Sequence, residues 1–485
     1  MSRAVAAIAL SEMGYAHRLM RGTFTRLCRV VGALLAVSLL LTACDSGTAT
    51  ETSVVSSNDQ TTTSDPGTTT TAGSSAATTT TSAPTVIASN DLDLEVVERL
   101  AAQVTELITA TEQVRGLPFL TQPTVTILSP EELEARVRAE LEEELDPEDL
   151  EIESRALQLL GLLQPGVDYE KLILDLYGEQ VAGFYDGDTG EMVIGGQAAD
   201  LSPYTKTIVV HELIHALTDQ HFIYHDDYQA MADEMRYEEL SAFQALIEGD
   251  ATYFQFVYIQ ELPLAEQLAM ATEALEIAAQ ATITASVPDW IMNDLAFPYE
   301  NGQQFVQALV DAGGIAAVDA AYLDRPNSTE VIMHPSRYAG GEIVADVVPV
   351  DLTIEGYETY ETASYGEWGL RLLLSESAGP GVAAQAANGW GGDSYQVLYD
   401  DDDIVFALAY KGDSEDDAFE LADALINLVS VELDLGEGIA DGGGVSFTAE
   451  DGRFAYLDRI GDGFIFVLST DAAAGAAAAD QMRVP

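Results

Sequence analysis

An α+β architecture is the fold class this sequence predicts, and three observations carry it. Two short β-rich runs flank an Asp/Gly turn, long segments with helical apolar spacing follow them, and beyond Ile343 short strands alternate with helices. The first two place a core in residues 91–342, built from a hairpin, a helix with two histidines and a further long helix. The third places a smaller α+β domain in residues 343–485. With 47% apolar residues, a chain of 485 can bury both cores.

Arg21, Arg26 and Arg29 precede an apolar run from Val30 to Leu41, too short to cross a bilayer as a mature helix but of signal-sequence length. The 29 residues ahead of it are long for such a signal, and Met20 followed by Arg21 would make a more usual start. Next comes Leu41-Thr42-Ala43-Cys44, which resembles a bacterial lipobox. That resemblance implies a lipoprotein signal peptide over residues 1–43, cleaved before Cys44, and lipidation of Cys44. The protein would then be exported and anchored to the outer face of the bacterial cytoplasmic membrane. A plain secretory signal cut near Ala43 is the alternative. Cys28 lies in the removed segment, so no disulfide is expected in the mature chain. Residues 44–90, dominated by Thr, Ser, Ala and Gly, have little to bury and read as a disordered tether. As a flexible coil it would reach roughly 40 Å. The formal net charge of -61, from 81 acidic against 20 basic residues, repels nucleic acid and excludes it as a partner.

From Leu94 to Ile108 apolar residues recur at helical spacing, and a strand is predicted at Val125 to Leu128. Ser129-Pro130-Glu131-Glu132 predicts a helix start, with Ser129 as cap and Pro130 at the first helical position. The acidic run Glu140 to Glu153 reads as a solvated helical face. A hairpin is predicted from Gln180–Tyr185 and Glu191–Ile194, and the second run could pair with an extended peptide at a sheet edge. Ser202-Pro203 then opens a helix, and another is predicted from Glu234 to Ile259, with helical sequence continuing to Ala321. Pro326 and His334-Pro335 break the pattern. In the smaller domain Ile404–Tyr410 reads as a strand and Glu415–Leu428 as a helix, and Gly389-Trp390-Gly391-Gly392-Asp393 as a structural turn.

The helix opened by Ser202 carries His211-Glu212-Leu213-Ile214-His215. Two imidazoles four residues apart share one helix face and can grip one ion. Zinc suits them, since imidazole nitrogens at about 2.0 to 2.1 Å fit its tetrahedral preference. Glu212 is then placed to act as general base on a water at the ion.

Two positions compete for the third ligand. Glu248, in Ala245-Leu246-Ile247-Glu248-Gly249-Asp250-Ala251, lies 33 residues beyond His215 on the next long helix. Here the chain resembles the gluzincins, zinc peptidases in which a glutamate from a following helix completes the site. The resemblance implies a zincin-like metallopeptidase core, a cleft between a strand-bearing and a helical lobe, and Zn2+ held by His211, His215 and Glu248. The other candidate is His221, ten residues after His211, at the metzincin spacing. Thr218 stands where that family has glycine, and ten residues of continuous helix rise about 15 Å, so His221 could share the ion only if the chain turned sharply. Glu248 is therefore favoured.

In weaker form the chain from Tyr169 to Leu425 resembles a group of uncharacterised bacterial HExxH lipoproteins, through the motif helix, Glu248-Gly249-Asp250-Ala251, Phe297-Pro298-Tyr299, Ser328-Thr329-Glu330 with His334-Pro335, and the Trp390 segment. A zinc-activated water attacking a peptide or protein substrate, with Glu212 as base, is the expected chemistry. His334, Tyr338 or Tyr253 is expected to donate to the oxyanion. Asp250 is expected either to orient a ligand histidine or to cap a helix. The rival reading is a non-catalytic, zinc-binding surface lipoprotein. Glu212 speaks against it, because a structural zinc site needs no base.

Overall fold

The computed structural model describes residues 84–88, 93–178, 183–187, 189–195, 200–280 and 287–483. The signal segment, Cys44 and most of the tether lie outside them. Among the described residues no helix is long and apolar enough to cross a membrane.

The chain is a mixed α+β protein with a helical region and a C-terminal antiparallel sheet. Order starts earlier than the tether prediction allowed. β1 (Thr85–Ala88) pairs in parallel with β2 (Thr124–Leu128), Thr85 opposite Thr124. Its sequence Thr-Val-Ile-Ala is short but β-branched, and it borrows its stability from β2. Between them α1 (Leu94–Arg115) buries the predicted apolar stripe and ends at Gly116 with φ 77°. α2 (Pro130–Glu144) starts with a reciprocal cap: Glu132 N donates to Ser129 Oγ, and Ser129 N to Glu132 Oε2.

The acidic run is not all solvated. It divides between α2 and α3 (Pro147–Leu159), and Glu153 is fully buried, where its carboxylate accepts from Tyr169 Oη at 3.1 Å. Tyr169 opens α4 (Tyr169–Gly178). The hairpin forms from β3 (Gly183–Asp186) and β4 (Glu191–Gly195), antiparallel as expected. β4 also pairs in parallel with β2, so the order is β1-β2-β4-β3. The edge strands are thus β1 and β3, and the predicted edge role of Glu191–Ile194 is corrected, because β4 lies between β2 and β3.

α5 (Pro203–Phe222) carries the histidine motif. Ser202 Oγ accepts from Thr205 N at 3.0 Å and Pro203 fills the first position, as the sequence indicated. Residues Thr207 to Thr218 are all buried, because β3, β4, α1, α7 and α8 surround the helix. α6 (His225–Asp233) precedes the long α7 (Tyr237–Glu261), which contains Glu248. α8 (Leu264–Gln280), α9 (Asp289–Gly313) and α10 (Ile315–Ala321) complete the predicted helical stretch. α7 and α9 meet backbone to backbone at Gly249 and Gly302. A Cβ on Gly302 would overlap Ala245 O, and one on Gly249 would overlap the Gly302 backbone. Glu248 is therefore carried on a helix whose position leaves no room for a methyl group at the crossing.

Two one-turn helices, α11 (Thr329–Met333) and α12 (Pro335–Gly340), meet at the His334-Pro335 break. Then β5 (Glu358–Ala363), α13 (Gly366–Ala378), α14 (Pro380–Ala387), β6 (Trp390–Tyr399), β7 (Ile404–Gly412) and α15 (Glu415–Asn427) follow. β8 (Ile439–Asp441), β9 (Gly444–Thr448), β10 (Phe454–Ile460), β11 (Gly463–Ser469) and α16 (Ala472–Met482) end the chain. The seven strands run β5-β6-β7-β11-β10-β9-β8, all antiparallel. Alternation along β7 divides the two faces: Val405 and Ala407 pack with α16, and Ile404, Phe406 and Leu408 join the large helical core. That core contains Leu246 and Phe305 as well as Leu370 and Phe466, so packing is continuous across residue 342, where the domain division was expected. The Trp390 segment enters β6 through a bulge. Trp390 is buried, and its Nε1 donates to Asp393, which also accepts from the N–H groups of Tyr365 and Gly366.

Candidate metal centre and its pocket

On α5, His211 and His215 project from adjacent turns, and α7 brings Glu248 against them. His211 is 0% exposed, His215 9% and Glu248 6%. His211 Nε2 lies 3.0 Å from His215 Nε2 and 3.1 Å from Glu248 Oε2, and His215 Nε2 lies 3.3 Å from the same oxygen. A tetrahedral ion with bonds of about 2.0 to 2.1 Å needs ligand atoms about 3.3 Å apart, which this triangle nearly matches. The donor set of two imidazoles and one carboxylate suits zinc better than calcium or magnesium, which take oxygen ligands. Among the described residues, these three are the group that could hold a metal. Burial raises the Glu248 carboxyl, but the imidazoles of His215 and His211 more than offset this and hold it at about 2.

Glu212 is 4% exposed and faces the same pocket as His215 and Glu248. Its Oε2 accepts from the backbone N–H of Tyr185 at 3.0 Å, which fastens the carboxylate to the end of edge strand β3. Burial lifts its pKa and Glu248 adds to the rise, while His211 and the Tyr185 N–H oppose it, leaving it at about 7.

His221 stays away from this cluster. α5 runs unbroken through Thr218, whose Oγ1 donates back to Ile214 O, and His221 Nε2 lies 2.7 Å from Pro118 O. The sharp turn a shared ion would need comes later, at Ile223, which is in the left-handed region with φ 48°. A β-branched residue there is strained. The turn brings Tyr224 and His225 back to line the pocket beside Glu212.

The three expected oxyanion donors are elsewhere. His334 Nε2 lies 3.1 Å from Glu367 Oε1, Tyr338 Oη donates to Asp324 O at 2.6 Å, and Tyr253 stacks edge-on against Phe254. None of them lines the pocket: His334 and Tyr338 belong to α11, α12 and their junction, which pack with α9, and Tyr253 lies on α7 outside the pocket lining. Asp250 neither caps a helix nor touches a histidine. It is fully buried, held by Arg115 Nε at 3.0 Å and Tyr322 Oη at 2.9 Å. Sequence reading missed Tyr224, His225 and Gln244. Only Gln244 had a signal, since it stands one helical turn before Glu248.

The neighbourhood of His334 has a pH consequence of its own. Glu330 is 2% exposed beside Arg337 Nη1 at 3.1 Å. Burial raises its pKa to about 8, opposed by Arg337 and helped by Glu367, Asp413 and Glu342. The folded state therefore binds this proton more tightly than the unfolded chain. Its stabilising contribution is full below about 4.5 and is lost as pH rises through about 8. Urea midpoints should fall across that range, and Glu330→Gln should flatten the fall; parallel slopes for both proteins would refute the assignment.

Residues 355–477 match the family described as a domain of unknown function, DUF8575. The match covers the seven-stranded sheet with its helices and does not include His211, Glu212, His215 or Glu248. No curated protein matches the chain. Among solved structures, a protein from Chloroflexus aurantiacus described as a putative hydrolase with a novel fold is similar over 52% of this chain and 91% of its own. Identity is 17% and the TM-score 0.35, which assigns neither fold nor chemistry.

Proposed function

We propose that this protein is a zinc-dependent peptidase of gluzincin type, exported and tethered through a lipidated Cys44, that hydrolyses peptide bonds in the pocket at His215 and Glu248. The observation that carries the reading is the convergence of His211, His215 and Glu248 within 4.8 Å of one another, with Glu212 on the same pocket. On this reading β3, α5 and α7 form the zincin-like core, with β3 as the edge strand beside the substrate. A zinc ion held there would supply Lewis acidity, polarising a carbonyl and acidifying water. Glu212 takes the proton of the attacking water and passes it to the leaving nitrogen. Its bond to Tyr185 N fixes one carboxylate oxygen and leaves the other for that transfer. His225, on the pocket wall where His334 and Tyr338 are not, becomes the candidate donor to the oxyanion.

Purified protein should bind about one zinc ion per chain and cleave unstructured protein in a chelator-sensitive way. Glu248→Ala should lose the ion and His221→Ala should keep it; the reverse pattern would overturn the ligand set. Zinc-bound protein inert towards a broad peptide library would leave a binding lipoprotein instead. For the anchor, Cys44→Ser should release the protein from membranes into the medium, and a variant still sedimenting with membranes would reject lipidation there.

A further inference from the structure

We infer that Gln244 holds the main chain of the substrate beside the bond to be cut, pairing its carboxamide with the N–H and C=O of one extended residue. The inference rests on the peptidase reading above and deepens it. Gln244 lies one helical turn before Glu248 on α7, so the two side chains leave the same helix face. It is 7% exposed and lines the pocket that also contains Glu212, His215 and Glu248. Among the described residues its carboxamide makes no hydrogen bond. The residue is largely buried, yet its amide nitrogen and oxygen are not sealed from solvent, so the carboxamide opens into the pocket with both its donor and its acceptor available to a ligand that displaces water.

Two other polar groups on the wall are already committed. Tyr185 Oη donates to Asp219 Oδ2 at 2.9 Å, and Tyr224 Oη to His215 O at 3.4 Å. Glu212, Glu248 and Asp219 are acceptors when ionised and cannot then donate to a substrate carbonyl. A carboxamide both donates and accepts without charge. In an extended peptide the N–H and C=O of one residue point to the same side, as in the hydrogen-bonded pairs of an antiparallel sheet, so one carboxamide reaches both. Recognition of this kind reads the main chain and depends little on substrate side chains.

The test uses zinc-loaded Glu212→Gln protein, which binds without cutting. It is titrated with short N-acetylated, C-amidated peptides of mixed sequence, and with the same peptides N-methylated at one amide at a time. Adding Gln244→Met should weaken binding about tenfold and leave the melting temperature unchanged, because no internal hydrogen bond is lost. One methylated position should cost a similar factor in the parent and nothing in the Met variant. Equal affinity of parent and Met variant overturns the inference, as does a drop in melting temperature alone, or the absence of any methyl position that separates the two. Failure of every peptide to bind overturns it as well. Cleavage by the unmodified protein is scored in parallel. Cleavage with equal affinities rejects Gln244 and keeps the peptidase; no cleavage rejects the peptidase, and the methyl scan still decides what Gln244 holds.

Discussion

Glu212→Gln should lower peptide turnover by at least about a hundredfold while zinc content stays at the wild-type level. The amide has the shape of the carboxylate and its oxygen can still accept from Tyr185 N, so β3 and α5 stay joined. What it loses is the capacity to take a proton. His211 and His215 flank the residue in sequence, but the Nε2 atoms that meet Glu248 do not involve it, so the ligand triangle has no reason to open. Turnover on a quenched peptide library, with metal content measured on the same samples, gives the answer. A variant that cuts at the wild-type rate would remove Glu212 from the reaction. One that loses zinc and activity together would make it a structural partner of the ligands.

The sequence placed the local elements well, because their signals are local: the Ser202-Pro203 start, the cap at Ser129, and the Asp/Gly turn between β3 and β4. Two residues of the candidate metal site were legible for the same reason, since His211 and His215 share a helix face by spacing alone. Glu248 was legible only through the gluzincin resemblance, because its approach to the histidines depends on the long-range pairing of α5 with α7, which no local pattern announces. The oxyanion expectation failed where tertiary path matters. His334 was an expected oxyanion donor, but at the junction of α11 and α12 its Nε2 faces Glu367. His225 reaches the pocket through a left-handed Ile223, and an isoleucine gives no hint of that conformation. β1 was hidden within a polar tether because four residues bonded to one neighbour leave almost no compositional trace.

The second large effect is on stability. Arg115→Met should cost about 3 to 5 kcal/mol, the usual range when one partner of a buried ion pair is removed. Arg115 is fully buried at the last turn of α1, where its charge also faces the carboxyl end of the helix dipole. Its Nε donates to Asp250, its Nη2 lies 2.7 Å from Asp319 Oδ1, and its guanidinium covers Phe254 at 5.1 Å. Through these contacts it joins α1 to α7 and α10. Without it Asp250, itself 0% exposed, keeps the Tyr322 hydroxyl as a hydrogen-bond donor but has no cation beside it, and must take up a proton or stay charged in a dry site. Burial already raises the Asp250 pKa against the pull of Arg115. A double variant, Arg115→Met with Asp250→Leu, should therefore lose much less than the two single losses added together, since no orphan charge is left. Urea unfolding of the four proteins measures that coupling, and additive losses would mean that the pair does not act as one. Zinc binding to the folded single variant tests the same residue from the other side. Asp250 sits two positions beyond Glu248 but bonds to α1 and α10, so zinc affinity should survive in Arg115→Met protein that is still folded. A loss of zinc at unchanged stability would restore Asp250 to the ligand histidines, which the geometry of α7 keeps it from touching.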